Sequence, residues 1–350
     1  MYNALNIEDF LKHSENGVVL DVRSPSEFEH GHIPGAISFP LFSDDEREII
    51  GTIYKKSGKD SAILKGLGFI GPRLKAVAEN ALEYSENKPL FIHCWRGGMR
   101  SKSVVSFLQQ IGIQCYLLNN GYKAYRNFVL ENLSGKRNYF VIGGKTGSGK
   151  TEVLEKLQEM GQQVIHLEKL ASHKGSAFGR IGQPPQPSNE QFGNNLLEII
   201  IRFDADKPIW IEDESRTIGK VSIPNEFYNS YRKAPLMVLD MPFQTRLLHL
   251  MKVYGSFPID EVISSFERIR RKLGGQNLNM ALTHIEEGNY EEAAAIALKY
   301  YDKTYTYGLQ NKDSNDISYH TFDSFDAGKI ASYLIELVNE RRYTTNTIQQ

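Results

Sequence analysis

Cysteine is scarce, with only Cys94 and Cys115 in a chain of 350 residues. That excludes a disulfide framework, and a structural zinc site would have to draw its remaining ligands from histidine. Net charge is nearly absent too, because 41 basic residues face 42 acidic ones and leave −1. No overall attraction to nucleic acid follows, so any contact with RNA has to come from local basic patches. No apolar run approaches the roughly 20 residues that a membrane-spanning helix needs. Met1 to Phe10 carries Glu8 and Asp9 but no basic residue or long apolar stretch, which fits neither a secretory signal nor a transit peptide. The expectation is a cytoplasmic protein with no membrane partner.

What is present divides into two halves. The length exceeds what one hydrophobic core usually supports, which favours two domains. Gly17–Val22 (GVVLDV) and Pro89–His93 (PLFIH) are short apolar runs that predict buried strands, and Ile113–Leu118 (IQCYLL) predicts a third. Between the last two, Val104, Val105, Leu108 and Ile111 recur at helical spacing. The polar stretch Leu133–Asn138 (LSGKRN) then separates two strand–loop–helix units. The resulting boundaries are a first domain over 1–132, a linker over 133–138 and a second domain over 139–350. In the second domain, strands are predicted at Tyr139–Gly143, Gln163–His166, Pro208–Ile211 and Leu236–Leu239, with amphipathic helices between and after them. Both domains are therefore α/β, with mostly parallel sheets and ligands gathered at the carboxyl ends of strands. Ser172–Asn189, rich in Gly, Pro, Ser and Gln, is too long for a simple connector, and such loops are usually functional or mobile.

Cys94 lies at one of those strand ends. The stretch Cys94-Trp95-Arg96-Gly97-Gly98-Met99-Arg100 joins a strand to a helix, so backbone N–H groups and the positive helix end converge on the loop. With Arg96 and Arg100 close by, such a cradle favours a reactive thiolate. Cys115, inside an apolar strand, is expected to be structural. The opening residues Leu20-Asp21-Val22-Arg23-Ser24-Pro25, Glu27-Phe28 and Gly31 to Ala36 (GHIPGA) resemble the rhodanese superfamily. Cys94 falls where those proteins carry their sulfur-accepting cysteine. The C-x5-R spacing from Cys94 to Arg100 also resembles cysteine-dependent phosphatases, whose loop surrounds a tetrahedral phosphate.

The second domain opens with Gly144-Lys145-Thr146-Gly147-Ser148-Gly149-Lys150-Thr151, which fits G-x-x-x-x-G-K-[ST] between a strand and a helix. The glycines let N–H groups point at phosphate oxygens, Lys150 adds a charge, and the Thr151 hydroxyl suits Mg2+ if a nucleotide binds. Glu212, Asp213 and Glu214 end a neighbouring strand, and Ser215 and Arg216 follow them. Their competing reading is a solvated acidic turn.

Taken in order, Gly121 to Arg126 (GYKAYR), the P-loop, His173 to Gly179 (HKGSAFG), Gln186-Pro187-Ser188 and Glu212 to Gly219 (EDESRTIG) resemble bacterial tRNA 2-selenouridine synthases over nearly the whole chain. That resemblance implies a rhodanese-like domain followed by a P-loop NTPase-like α/β domain with a helical C-terminal part. It also implies conversion of wobble 2-thiouridine in tRNA to 2-selenouridine, by S-geranylation from geranyl diphosphate and then selenation from selenophosphate, with no tightly bound cofactor. In this scheme the P-loop, helped by Arg216, takes the diphosphate. Cys94 takes selenium as a selenopersulfide while Arg96, Arg100 and the loop N–H groups hold phosphate. His173, Glu212, Glu214 and Ser215 are candidate substrate contacts. Arg268, Arg270, Arg271 and Lys272, with Tyr300, Tyr301, Tyr305 and Tyr307, are candidates for RNA contact, whereas His166, His249 and His320 read as packing residues. Alternatives left open by the residues are a C-x5-R cysteine phosphatase, a plain rhodanese-type sulfurtransferase, and a cysteine domain regulated by a P-loop ATPase domain.

Overall fold

In the computed structural model, which describes residues 3–254, 257–310, 312 and 316–348, the chain is mixed α/β and divides into two compact units. The first comprises Met1–Leu133 with Gly193–Glu198, and the second comprises Ser134–Phe192 with Ile199–Gln350. A short piece of the later sequence thus folds with the first unit.

The first unit holds strands β1 (Ala4–Leu5), β2 (Val18–Asp21), β3 (Ile37–Ser38), β4 (Leu90–His93) and β5 (Cys115–Leu118), in the order β1-β5-β4-β2-β3 and parallel throughout. The apolar runs foretell β2, β4 and β5, whereas β1 and β3 are two residues long and leave no periodic signal. After β2 the chain moves outward to β3 and then returns on the other side of β2 to form β4. The carboxyl ends of β2 and β4 therefore mark the point where connections diverge, the usual place for a ligand in such sheets. Asp21 and His93 are register partners there. In the helix Met99–Gln110, Val104, Val105 and Leu108 are buried, but Ile111 follows the last turn and is 43% exposed.

The second unit holds β6 (Tyr139–Gly144), β7 (Gln163–Ile165), β8 (Ile209–Glu212), the hairpin β9 (Thr217–Ile218) and β10 (Val221–Ser222), β11 (Leu236–Asp240) and β12 (Ile317–Thr321). Its main sheet runs β12-β11-β6-β8-β7, all parallel. Every residue of β6 is buried. Phe140 and Ile142 share a core with Val153, Leu154 and Leu157 from the helix Lys150–Glu159. Each such aliphatic side chain contributes about 1.5–3 kcal/mol on burial, which fixes the helix start against the end of β6. Strand β12 was not expected from the sequence, because Ser318 and His320 interrupt its apolar run. It sits at a sheet edge, where full burial is not demanded. Beyond the sheet, helices Ile259–Arg268, Gly275–Glu286 and Tyr290–Gln310 pack their own core around Phe266, Leu278, Ile285 and Ala297.

The segment between Leu170 and Asn189 has no helix or strand, yet its course is fixed. Gln186 Nε2 donates to the carbonyls of Ala171 and Ile218 at 2.9 Å each, and its Oε1 accepts from the Lys220 N–H at 2.8 Å.

Candidate active sites

The Cys94 loop is shaped by residues far from it in sequence. Gly121, which starts the helix Gly121–Leu133, has φ +58°, and a Cβ there would lie 2.2 Å from the Cys94 carbonyl and 2.5 Å from the Gly97 nitrogen. Only glycine satisfies both demands. The next two N–H groups, of Tyr122 and Lys123, donate to the carbonyls of Cys94 and Trp95 at 2.8 and 2.9 Å. With its carbonyls so occupied, the loop leaves the N–H groups of Trp95 to Arg100 without protein acceptors among the described residues. Unpaired N–H groups in a loop between a strand and a helix are what an anion cradle requires.

Glu27 does two jobs in this unit. Its Oε2 accepts from the Ser24 N–H at 3.1 Å at the start of the helix Pro25–His30, and from Arg100 Nη1 at 2.6 Å. Burial alone would raise the Glu27 carboxyl, but Arg100, joined by the Ser24 N–H and Arg47, outweighs it and holds the group below the usual range. Arg100 is thus braced by a carboxylate, while Arg96 is exposed. Cys94 itself is only 3% exposed, with Sγ 3.1 Å from Ser101 Oγ, so the sulfur is at the floor of the loop and not at its rim. Trp95, Gly97 and Gly98 are half-buried and Met99 is exposed. Beneath lies a buried array in which Arg23 pairs with Asp21 at 2.6 Å and stacks 3.8 Å over the Tyr122 ring. Asn194, also buried, donates to the Tyr122 hydroxyl at 2.7 Å and to the His32 carbonyl at 2.8 Å. Fully buried His93, its pKa lowered by desolvation, completes the layer. Cys115 is sealed in the sheet, where burial pushes its thiol up to about 12, as an inert packing residue requires.

The P-loop follows β6 directly. Lys150 Nζ donates to the Gly144 carbonyl at 3.0 Å, and the Gly144 N–H donates to Tyr305 Oη at 2.7 Å. Gly149 has φ +75°, and a Cβ on it would meet the Phe325 ring at 2.0 Å. Ser148 Oγ is buried without a protein partner among the described residues. Arg246, 2% exposed, bridges Asp302 at 2.8 and 2.7 Å and donates to the Thr146 carbonyl at 3.0 Å. The P-loop is thereby tied to the helix Tyr290–Gln310.

A cavity of about 820 Å³ opens over this loop. It gathers the P-loop with His173, Glu214, Ser215 and Arg216, and adds Glu168, Lys174, Arg232 and Lys312. Arg268, Lys272, Tyr300, Tyr301 and Tyr305 also reach it. Arg270 instead pairs with Glu267 at 2.6 Å on an exposed face, Arg271 is exposed, and Tyr307 is 71% exposed and outside the cavity. His249, read as packing, lines the cavity and pairs with Glu152 at 3.1 Å, while His166 and His320 are engaged by Gln158 and by Ser318 with Tyr333.

Glu212 lies beneath the cavity, 1% exposed, and its Oε1 accepts from the Glu168 N–H at 2.5 Å. Burial first, and then the Glu168 charge, push its carboxyl up to about 8. Glu168 and Glu214 are raised as well, chiefly by burial, with like charges adding at Glu214. At neutral pH Glu212 therefore carries a proton, so the acidic turn is neither solvated nor fully charged beside the P-loop. Among the described residues no group of three or more His, Cys, Asp or Glu is placed to hold a metal ion, and no helix is long and apolar enough to cross a membrane.

Sequence comparison aligns with both sites. Residues 6–128 match the rhodanese-like domain, and residues 137–325 match the tRNA 2-selenouridine synthase AAA domain. The tRNA 2-selenouridine synthase of Shewanella woodyi is 32% identical over 335 residues, spanning 85% of this chain and 90% of the relative. That of Shewanella sediminis is 33% identical over 335 residues, with 85% and 89% covered. The Marinobacter nauticus protein of the same name is 32% identical over 342 residues, with 87% and 92% covered.

Proposed function

The chain belongs to the tRNA 2-selenouridine synthase family, and we propose that it converts 2-thiouridine at the tRNA wobble position to 2-selenouridine by way of an S-geranyl intermediate. The observation that carries this reading is the pair of glycine-rich loops between a strand and a helix in one chain, one floored by a cysteine sulfur and the other lined by Lys150 and a cavity with several cationic side chains.

A thiocarbonyl sulfur is a poor leaving group until it is alkylated. In the first step it attacks the first carbon of geranyl diphosphate, the carbon–oxygen bond breaks, and diphosphate departs with the electron pair. The P-loop N–H groups and Lys150 stabilise the charge that develops. In the second step selenium bonds to the same ring carbon and the geranyl thiol leaves. Arg232, Arg268 and Lys272 suit RNA phosphates, and Tyr228 and Tyr300 offer ring faces for a nucleobase.

Selenophosphate is the donor that fits the Cys94 loop, and electron balance assigns the sulfur its role. Attack by sulfur on phosphorus expels selenide with the bonding pair and keeps phosphorus at the oxidation level of phosphate, which water then frees from the cysteine. Moving selenium onto sulfur as a selenopersulfide would leave phosphorus two electrons more reduced. Ser101 Oγ, 3.1 Å from Sγ, can donate to the thiolate when it is released.

The test is to incubate the protein with thiouridine-containing tRNA, geranyl diphosphate and selenophosphate, omitting each donor in turn, and to identify the wobble nucleoside by mass spectrometry. Geranylated thiouridine should accumulate without selenophosphate, and Cys94→Ser should stop at the same point. Equal loss of both steps in Cys94→Ser would refute the division of labour.

A further inference from the structure

Beside the P-loop cavity lies a second, smaller one of about 310 Å³ inside the helical part of the same unit. No charged side chain lines it. Its walls include Phe178, Phe257, Val262, Phe266 and Ile285, and the oxygen of Tyr301 is already engaged by the Ala177 N–H at 3.0 Å. Thr146, Ser176, Leu250 and Tyr301 line both cavities, so they form a shared threshold, and Thr146 belongs to the P-loop itself.

Polarity thus changes across the width of one residue, from a phosphate cradle to a hydrocarbon-lined chamber. A nucleotide that placed its sugar and base in this chamber would set them against walls that offer almost no partners, which is unfavourable. A linear hydrocarbon attached to a diphosphate meets the opposite situation at both ends. Resting on the reading of the P-loop as a diphosphate site, we infer that this chamber holds the hydrocarbon tail of the prenyl-type donor and limits its length. Space for the tail comes from Ala294 and Ala297, three residues apart on the helix Tyr290–Gln310, where larger side chains would fill the chamber.

The volume is at the lower end of small-molecule sites, consistent with a short chain. Each buried methylene adds about fourfold in affinity, so geranyl diphosphate should bind the full chain at least ~100-fold more tightly than inorganic diphosphate. Calorimetry with the two ligands measures this directly. Ala294→Phe should bring geranyl diphosphate close to the affinity of inorganic diphosphate and leave the latter unchanged, and Ala294→Leu should fall between. Unchanged inorganic diphosphate binding also shows that a variant is folded, and the leucine variant decides the matter if the phenylalanine variant is not. Equal wild-type affinity for the two ligands, or geranyl binding unaffected in a folded Ala294 variant, overturns the chamber assignment while leaving the P-loop reading intact. If inorganic diphosphate binds neither wild type nor Lys150→Ala, the P-loop reading itself fails, and the chamber assignment with it.

Discussion

Arg246 and Asp302 offer the sharpest test of what holds the P-loop in place. The two side chains are 3% and 21% exposed and form a bidentate pair at 2.8 and 2.7 Å, with one guanidinium nitrogen also bonded to the Thr146 carbonyl at 3.0 Å. Breaking a buried pair by removing one partner typically costs about 3–5 kcal/mol, because an uncompensated charge remains. Arg246→Met strands the more exposed partner, which water reaches in part, so its loss should lie near the lower figure. Asp302→Leu strands the arginine in an almost dry site, so its loss should lie near the upper one. The double variant leaves no stranded charge and should lose less than Asp302→Leu alone. Urea unfolding can be followed in a Trp95→Phe background, where Trp210, fully buried in the second unit, is the only tryptophan and reports that unit separately. Single-variant losses that simply add, with coupling below about 0.5 kcal/mol, would refute the argument.

Three further outcomes follow from the geometry. Glu212 has its carboxyl raised from 4.5 to about 8, so its stabilising contribution is complete below pH 4.5 and disappears as pH rises through 8. Glu212 alone should therefore lower stability over that window by at most about 1.4 kcal/mol per pH unit, with Glu168 and Glu214 adding in the same direction, and Glu212→Gln should make the decline shallower in unfolding measured from pH 5 to 8.5. Gly121→Ala combines a left-handed backbone, worth about 1–3 kcal/mol of strain, with overlap on the Cys94 carbonyl. It should abolish selenation while geranylation by the same preparation persists. Lys150→Ala removes a charged donor worth about 1.5–3 kcal/mol, so diphosphate affinity should fall roughly 10–100-fold. Selenation of RNA supplied already geranylated should continue.

The fold class was legible because the apolar runs of β2, β4, β6, β8 and β11 are buried strands, and buried parallel strands are written as continuous apolar stretches. The short or edge strands β1, β3 and β12 were not, since two residues carry no period and an edge strand tolerates polar positions. Both glycine-rich loops were visible as local strings, because a loop between a strand and a helix is specified by contiguous glycines and cations. What braces those loops was hidden. Glu27 under Arg100, Gly121 against the Cys94 carbonyl, and Asp302 on Arg246 come from 73, 27 and 56 positions away, and no local pattern announces such partners. The same holds for the apolar chamber beside the P-loop, whose alanines and phenylalanines read along the chain as ordinary core. Contiguous sequence determined where backbone N–H groups and a sulfur would be presented. Only the tertiary structure decided how deep that sulfur sits, that Glu212 is buried enough to keep its proton, and that an apolar cavity adjoins the one over the P-loop, because burial and cavity shape depend on chain segments that meet only on folding.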